Sequence, residues 1–303
     1  MELVDMTKKN QGAVVITGTS AGIGRATALL LDKQGYRVFA GVRTEKDAES
    51  LKQAASGVLT PIIIDITKQE QIQAASEFVS LAVGEEGLLG LVNNPCGIAY
   101  GPLECVPIDD VRLNFEVGII GHIAVTQAFL PMLRKAKGRV INISASCGRI
   151  AVPYFGLLSA SKFALEAFTD SLRTELFSSD IEVVSILSGA FKTDIYKKVK
   201  ASYERTFANM SPEMKTIYDK NCRIKLQAIE EENRNGQPCD IFANVILKAL
   251  EDRKPKRQYF VSSSILGMLD DQLFYLAKRL LPHQYFYDTF LFGQLRKSMK
   301  LDA

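Results

Sequence analysis

Short apolar runs alternate with longer amphipathic stretches along most of the chain. The runs are rich in β-branched residues and too short for helices, so they predict buried strands. These strands are expected at residues 13–17, 36–42, 58–65, 88–93, 139–143, 181–187 and near 257–261. The stretches carry apolar residues at helical spacing and predict helices that end at Gly35 and span 44–55, 67–83, 108–135 and 155–177. Strands that alternate with helices imply right-handed crossovers, so the pattern predicts a doubly wound α/β fold, a parallel sheet with helices on both faces.

The alternation changes after the sixth strand. Residues 191–236 are rich in Lys, Glu, Tyr and Met. We expect them to form a helical lid over the carboxyl ends of the strands, where open α/β sheets bind ligands. Residues 264–303 predict an amphipathic helical extension, which would cover the domain's own core or contact a membrane surface or another copy of the chain. We expect a single domain over residues 1–303.

Composition and charge exclude several classes of protein. The 303 residues include 37 basic and 34 acidic side chains, a net charge of +3 that gives no field favouring nucleic acid. The five cysteines form no CxxC motif or Cys/His cluster, so neither a metal site nor a disulfide framework is indicated. The N-terminus lacks the apolar core of a signal peptide, and no uninterrupted apolar run is long enough to span a membrane. We therefore expect a cytoplasmic protein.

The first strand leads into a glycine-rich turn. Gly18, Gly22 and Gly24 lie between the 13–17 run and the helical stretch that ends at Gly35. Without side chains, the backbone can approach a pyrophosphate, and the N–H groups and dipole of the new helix favour its negative charge. The turn predicts a phosphate-binding site, although close packing of a helix on a strand uses glycines in the same way.

Four motifs make the sequence resemble the short-chain dehydrogenase/reductase family over residues 12–262. Residues 17–24, TGTSAGIG, match the family's TGxxxGIG turn, and Asp65 stands where its acidic residue follows the third strand. Asn93 opens the family's NNAG motif, and Lys162 ends its YxASK motif. The GVRT segment, the TQAFLP run and the long C-terminal tail are most similar to the branch that acts on retinoids, steroids and hydroxyacyl substrates.

The resemblance implies a nicotinamide dinucleotide as cofactor. It assigns contacts with that cofactor to Gly18, Ser20, Gly22, Ile23, Gly24, Arg43, Asp65, Ile66, Asn93, Lys162 and Thr193. Family members that prefer NADP often place a basic residue for the 2′-phosphate just after the second strand, where Arg43 stands. We therefore expect NADP rather than NAD, while a surface Arg is also common at a strand end.

The catalytic residues that the resemblance implies are mostly absent. The family uses a Tyr, a Ser, an Asn and a Lys around the nicotinamide. Counting from Lys162, the Tyr position holds Leu158, the Ser position holds Ala145, and the Asn position in the preceding helix holds Gly118. We call these four residues the tetrad positions. The neighbouring NNAG motif also reads NNPC, so the departures fall on the nicotinamide side of the site while the phosphate turn is intact.

Neighbouring residues offer weak substitutes for the missing groups. Tyr154 lies eight residues before Lys162, and Ser144 and Ser146 flank Ala145. A shift of one residue along a strand turns the side chain to the opposite face. We therefore expect no rescue of catalysis by these neighbours.

The retained lysine and two nearby residues have alternative interpretations. We expect Lys162 to bind the nucleotide's ribose, with a nucleophilic amine as the alternative. Cys96 and His122 are expected to be packed side chains rather than a nucleophile and a base.

Three functions remain open from the sequence. The first is a binding or regulatory protein that holds a dinucleotide and has lost ordinary carbonyl and alcohol redox activity. The second is an oxidoreductase for a hydrophobic alcohol or ketone with rewired catalytic residues. The third is an isomerase, cyclase or lyase that uses the same pocket. The resemblance also implies a homo-oligomer.

Overall fold

A computed structural model describes residues 11–262 and, beyond them, residues 276, 277 and 280. The expected amphipathic extension at 264–303 lies outside the described residues apart from those three. Its role therefore stays a prediction.

The described chain is built on one sheet of seven parallel strands. They are β1 (Ala13–Ile16), β2 (Arg37–Val42), β3 (Thr60–Ile63), β4 (Gly90–Asn93), β5 (Arg139–Ala145), β6 (Glu182–Ser188) and β7 (Gln258–Val261). Their order is β3-β2-β1-β4-β5-β6-β7, which confirms the predicted doubly wound α/β fold. The order changes direction between β1 and β4, so the carboxyl ends of these two strands form the crevice where such sheets bind ligands.

Helices cover both faces of the sheet. They are α1 (Gly22–Lys33), α2 (Glu45–Ala54), α3 (Gln69–Val83), α4 (Ile108–Phe115), α5 (Gly121–Ala136), α6 (Gly156–Glu175), α7 (Ile195–Asn209), α8 (Pro212–Asn235) and α9 (Cys239–Glu251). Val14 and Ile16 of β1 pack in a core with α1, α2 and α9, whereas Val15 packs in a second core with α3, α5 and α6. Both faces are thus buried, which explains the continuous apolar character of the strands.

The stretch predicted as one helix over 108–135 is interrupted. A π-helical segment at Glu116–Ile120 joins α4 to α5, and Gly118 lies at its centre. A Cβ added at Gly118 would lie 2.7 Å from the Cβ of Ser161 on α6. The missing side chain therefore allows this segment to pack tightly against α6. Such π segments occur frequently at functional sites.

The segment at 191–236 contains α7 and α8, which pack on the loop after β4. Tyr100 in that loop is fully buried in a third apolar cluster with residues of both helices. Its backbone N–H donates to Ser202 Oγ at 2.8 Å, and its hydroxyl donates to the Cys222 carbonyl oxygen at 3.1 Å. Thr206 Oγ1 donates to the Tyr100 carbonyl oxygen at 3.0 Å. Tyr100 therefore connects α7 and α8 to the loop after β4, and the role of these helices as a lid stays a prediction.

Candidate functional site

The glycine-rich turn has the backbone geometry that its sequence predicts. Gly18 has a φ of 70° and Gly22 a φ of 58°, which residues with a Cβ rarely adopt. At Gly24 the reason for glycine is contact, because an added Cβ would lie 2.2 Å from the Gly18 carbonyl oxygen. The backbone at Gly24 therefore packs directly against Gly18, and α1 begins at Gly22.

The N-terminus of α1 is suited to an anion. Ala21 occupies the N-cap, and neither a capping side-chain hydrogen bond nor an acidic residue in the first turn satisfies this terminus. The first N–H groups of a helix have no partner within the helix and carry its positive partial charge. Ser20 is half-buried beside them, and Ile23 packs against the core that includes β1. This arrangement fits a phosphate group.

Asn94 holds the turn from the side of β4. Its Nδ2 donates to the carbonyl oxygen of Gly18 at 2.9 Å and to that of Thr17 at 3.3 Å. Thr17 Oγ1 accepts in return from the Asn94 backbone N–H at 3.3 Å. Sequence reasoning did not assign this role to Asn94, although the NNAG motif was the signal that could have indicated it.

Asn93 lies in the interior instead. Its Nδ2 donates to Thr126 Oγ1 at 2.9 Å and to Asn142 Oδ1 at 3.0 Å, which links β4 to α5 and β5. Asn142 Nδ2 in turn donates a hydrogen bond to Thr169 Oγ1 on α6 at 2.8 Å. The side chain of Asn93 is therefore structural, so its predicted contact with a cofactor would have to use the backbone.

The residues expected at the adenine end lie at the ends of β2 and β3. Arg43 is exposed directly after β2. Asp65 is half-buried, and its Oδ1 accepts from the backbone N–H of Thr67 at 3.0 Å and from Thr67 Oγ1 at 2.8 Å. Ile66 is buried against α5, where a Cβ added at Gly121 would lie 2.8 Å from its Cγ1. Arg43 and Asp65 thus sit beside the crevice, while Ile66 mainly packs the core.

The tetrad positions converge where α5, α6 and β5 meet. Leu158 lies one helical turn before Lys162 on α6, and residues four apart share a helix face. Ala145 is the last residue of β5, and Gly118 packs against Ser161 beside Lys162. None of the side chains at 118, 145 and 158 can donate a hydrogen bond or transfer a proton.

Lys162 is buried and its amine is held by the sheet. The side chain is 3% exposed, and Nζ donates to the Ile143 carbonyl oxygen on β5 at 2.7 Å. Burial lowers the pKa of Lys162, while the nearby thiols Cys96 and Cys147 oppose that shift. Burial likewise raises the pKa of Cys147 to about 11, which keeps this thiol protonated at neutral pH. The amine of Lys162 is therefore engaged with β5 and lies beside a protonated thiol.

His122 fixes the loop that contains Pro95. The ring is buried, and Nε2 lies 2.8 Å from the Pro95 carbonyl oxygen. Burial lowers the pKa of His122 to about 3, and the nearby Lys162 acts in the same direction. Since the carbonyl can only accept, the neutral ring carries its proton on Nε2. His122 is thus a structural donor, in agreement with its interpretation as a packed side chain.

Two of the three possible substitutes for the missing catalytic groups, Tyr154 and Ser146, have other partners, whereas the buried Ser144 hydroxyl has none among the described residues. The Tyr154 ring belongs to the apolar cluster formed with α7 and α8, 6.5 Å from the Tyr100 ring. Tyr154 also has a φ of 66°, an uncommon conformation for a tyrosine. Ser146 Oγ donates to the Ser188 carbonyl oxygen at 3.4 Å. The Tyr154 side chain therefore takes part in the packing of α7 and α8.

Thr193, at the start of the lid, reaches the glycine turn. A Cβ added at Gly22 would lie 3.2 Å from Thr193 Cγ2. The Thr193 backbone N–H donates to Asn233 Oδ1 on α8 at 3.1 Å. Thr193 therefore lies beside the glycine turn, and its predicted contact with a cofactor stays a prediction.

Two surface cavities lie elsewhere on the protein. One, of about 550 Å³, lies along α6 and β7 and is lined by residues that include Arg149, Arg173 and Arg257. The other, of about 360 Å³, lies against α8 and includes Ala190 and Glu231. Neither is lined by a residue of the glycine turn or by a tetrad position, so neither belongs to the expected dinucleotide path.

Comparisons with known proteins show the family to which the chain is similar. A family profile described as short chain dehydrogenase matches residues 12–204. Retinol dehydrogenase 7 of Mus musculus is 36% identical over 273 residues, which cover 89% of this chain and 84% of that protein. The 17-beta-hydroxysteroid dehydrogenase type 6 of Bos taurus is 45% identical over 183 residues, or 59% of this chain and 57% of that protein.

Solved structures share the fold. A short chain dehydrogenase from Burkholderia cenocepacia J2315 in complex with NADP has a TM-score of 0.64 at 23% identity, with 90% of this chain and 98% of that chain covered. A short chain dehydrogenase/reductase from Burkholderia phymatum in complex with NAD has a TM-score of 0.73 at 19% identity, with 91% and 96% covered. One neighbour holds NADP and the other NAD, so the fold alone does not select between the two cofactors.

The expectation of a cytoplasmic protein is wrong. The relatives above are named for retinol and for hydroxysteroids, which are lipid-soluble compounds. By length and composition alone, the helical stretch Ile108–Ala136 would also be able to cross a membrane, although 56% of its most apolar window is buried inside the protein. The absence of a signal peptide and of a continuous apolar run was therefore insufficient ground for that location.

Proposed function

The chain belongs to the short-chain dehydrogenase family, and on that premise we propose that it is a dinucleotide-binding protein whose ordinary carbonyl and alcohol redox activity is lost or strongly impaired. Its role would then be regulatory or that of a scaffold. The single observation that supports this proposal is the contrast between the two parts of the site. The glycine turn is complete, whereas Leu158, Ala145 and Gly118 replace three of the four catalytic groups.

The expected loss of rate is large. Removal of a positioned general acid or base costs roughly 10²- to 10⁴-fold, and removal of one donor to a developing oxyanion costs about 10²- to 10³-fold. From a typical turnover of about 10 s⁻¹, a residual rate of about 10⁻³ s⁻¹ or less is expected. The lysine amine does not compensate, because its hydrogen bond is made to the Ile143 carbonyl oxygen of β5.

NADP is the proposed ligand, in preference to NAD. Arg43 is exposed at the end of β2, where a guanidinium can bind a 2′-phosphate through paired hydrogen bonds. The phosphates between the two nucleosides would lie on the N–H groups of the turn and of α1. An apolar small molecule would be the companion ligand, since the changed tetrad positions expose only hydrocarbon.

A homo-oligomer is also proposed, through α5 and α6. Ile120, at the junction with α5, is 49% exposed, and Phe163 on α6 is 36% exposed. Burial of such side chains between two copies would be favourable. Light scattering of the purified protein would show a dimer or tetramer if the proposal is correct and a monomer if it is wrong.

Calorimetric titration of the purified protein with NAD, NADH, NADP and NADPH tests the main proposal. NADPH or NADP is expected to bind with the highest affinity, and no NADPH oxidation at ordinary rates is expected with retinal or a ketosteroid. Failure of all four to bind would remove the proposal, as would turnover near 10 s⁻¹, the order typical of enzymes. The variant Leu158→Tyr/Ala145→Ser serves as the comparison, because it restores two catalytic groups without altering the turn.

A further inference from the structure

The two halves of the expected dinucleotide-binding path differ in the space and the polar groups that they offer to a ligand. The first half consists of the glycine turn with Arg43 and Asp65, and the second consists of Pro95, His122 and the tetrad positions. The inference developed here rests on the proposed function and concerns which half of the ligand the site binds.

Pro95 is seated on the glycine turn. A Cβ added at Gly18 would lie 3.0 Å from Pro95 Cγ and 3.4 Å from Pro95 Cδ. The NNAG motif that the family resemblance supplies has alanine at this position, and Cγ and Cδ are the ring atoms that alanine lacks. The substitution therefore places additional carbon directly beside the turn, on its nicotinamide side.

The loop that contains Pro95 is fixed. The neutral His122 ring donates from Nε2 to the Pro95 carbonyl oxygen, and His122 is 1% exposed. Breaking this bond would leave the buried His122 N–H without a partner, which is unfavourable. Asn94, the preceding residue, is tied to Gly18 and Thr17 as described above. The hydrogen bond from His122 and the hydrogen bonds of Asn94 therefore both oppose displacement of Pro95 by a ligand.

The residues that would bind the nicotinamide half of the ligand make contacts within the protein instead or carry no polar side-chain atom. The Lys162 amine donates to Ile143 on β5 and is nearly inaccessible. Gly118 is packed against Ser161, which brings the helix containing the former Asn position directly against α6. Neither Leu158 nor Ala145 has a polar side-chain atom. A nicotinamide riboside would therefore meet an added ring at Pro95 and side chains that cannot bond to it.

We infer that the site binds the adenosine diphosphate half of the dinucleotide and leaves the nicotinamide riboside half unbound. The class of ligand is then an adenosine 5′-diphosphate nucleotide, with a 2′-phosphate on the ribose near Arg43. The phosphates lie at the N-terminus of α1, where the turn geometry and the uncapped helix favour them. Ligands that end after the second phosphate or its ribose bind as well as complete dinucleotides do.

Paired calorimetric titrations of the full chain test this inference. NADPH is compared with 2′-phospho-ADP-ribose, and NADH with ADP-ribose, while reduced nicotinamide mononucleotide is titrated alone. Each truncated ligand is expected to bind within about tenfold, or about 1.4 kcal/mol, of its complete partner, and the mononucleotide is expected not to bind. Binding of NADPH more than about tenfold tighter than the truncated ligand overturns the inference but leaves the proposed function intact. Failure of NADPH, NADH and both truncated ligands to bind overturns both proposals.

A second measurement follows the nicotinamide itself. Fluorescence of the reduced nicotinamide ring responds to transfer from water into protein, so the emission of bound NADPH is expected to match that of free NADPH. An enhanced and shifted emission at saturation overturns the inference.

A pair of proline variants tests the physical cause. Pro95→Ala removes the two ring carbons beside Gly18 and is expected to strengthen NADPH binding several-fold without changing the affinity for 2′-phospho-ADP-ribose. Pro212→Ala, at the exposed start of α8, is the matched control and is expected to change neither affinity. Equal shifts for both ligands with Pro95→Ala would contradict the assigned role of the ring.

Discussion

Asn94 and Gly18 are joined by a hydrogen bond of 2.9 Å from the side-chain Nδ2 to the backbone carbonyl oxygen. The bond connects the end of β4 to the turn after β1, across the crevice between the two strands. A carbonyl that is held in this way orients the next peptide unit, and the N–H groups of that turn are the ones that would meet a phosphate. The shape of the turn is therefore determined partly by a residue 76 positions away.

The variant Asn94→Ala is expected to weaken nucleotide binding. A net contribution of about 1 kcal/mol per hydrogen bond over two bonds to the turn corresponds to a loss of roughly tenfold or more in affinity. The measurement is calorimetric titration with NADPH. Asn244→Ala removes a comparable bond, to the Asp240 carbonyl oxygen on the surface of α9, and is expected to leave affinity unchanged. Equal affinity for the two variants would show that the turn keeps its shape without Asn94.

The variant Gly24→Ala is expected to destabilise the protein. Its Cβ would lie 2.2 Å from the Gly18 carbonyl oxygen and 2.6 Å from Asn94 Nδ2, so the turn must move. Overpacking of this kind costs typically about 1–3 kcal/mol, and nucleotide binding should be lost with it. Gly84→Ala is the matched control: an added Cβ there has no atom within 4 Å, and only the cost of its φ of 55° remains. Urea denaturation of both variants measures the difference, and similar midpoints would contradict the steric argument.

Restoring the family's asparagine at position 118 is expected to destabilise the fold when it is the only change. A Cβ there would meet Ser161 Cβ at 2.7 Å and Ser161 Oγ at 2.8 Å. Gly118→Asn should therefore cost about 1–3 kcal/mol by overpacking. Ser161→Gly removes the clashing atoms, at its own cost of about 1 kcal/mol or less in a helix. A double-mutant cycle in urea should show a favourable coupling energy between the two changes, and purely additive costs would contradict the contact.

The folding stability is expected to depend on pH through His122. Its pKa is lowered to about 3 in the folded chain by burial, against an ordinary value of 6.5. Between these values the unfolded chain binds a proton that the folded chain does not, so stability falls as the pH falls from about 6.5 toward 3, by up to about 1.4 kcal/mol per pH unit. His122→Gln keeps a donor for the Pro95 carbonyl oxygen and cannot titrate. The free energy of unfolding of this variant should fall less steeply below pH 6.5 than that of the parent; parallel curves would contradict the assignment.

The variant Arg43→Ala is expected to change the choice of cofactor. Loss of a guanidinium that bonds to a 2′-phosphate should weaken NADPH binding by roughly tenfold or more, since charged hydrogen bonds contribute about 1.5–3 kcal/mol. NADH has no 2′-phosphate, so its affinity should stay the same. Lys46→Ala, an exposed neighbour on α2, is the control. Equal weakening of NADPH and NADH would argue against a 2′-phosphate at Arg43.

Local patterns were sufficient for the elements of the fold and for the turn. The apolar runs marked each strand, and the spacing of Gly18, Gly22 and Gly24 marked the turn, because these properties depend on residues close together in the chain. The π segment at 116–120 was not visible, since the apolar spacing of the surrounding helix continues through it. Its geometry depends on how closely Gly118 approaches Ser161, which lies on another helix.

The same limit applies to the site residues. The family motif does not distinguish the roles of Asn93 and Asn94. The Asn93 side chain bonds to Thr126 in the interior, whereas the Asn94 side chain bonds to the glycine turn. Asn93 is the last residue of β4 and Asn94 follows the strand, but the partners of both side chains come from distant segments. Similarly, the inward hydrogen bond from Lys162 to Ile143 depends on the position of α6 against β5.

The hydrogen bonds of Tyr100 determine how α7 and α8 can separate from the loop after β4. Because its backbone N–H, its carbonyl oxygen and its hydroxyl bond to Ser202, Thr206 and Cys222, neither α7 nor α8 can leave the loop after β4 without breaking buried bonds. Amide protons in these three segments should therefore exchange with solvent in a single concerted opening, at one common free energy. Since Thr193 lies on Gly22, a nucleotide that orders the turn would slow exchange throughout this unit, including at Cys222 in α8.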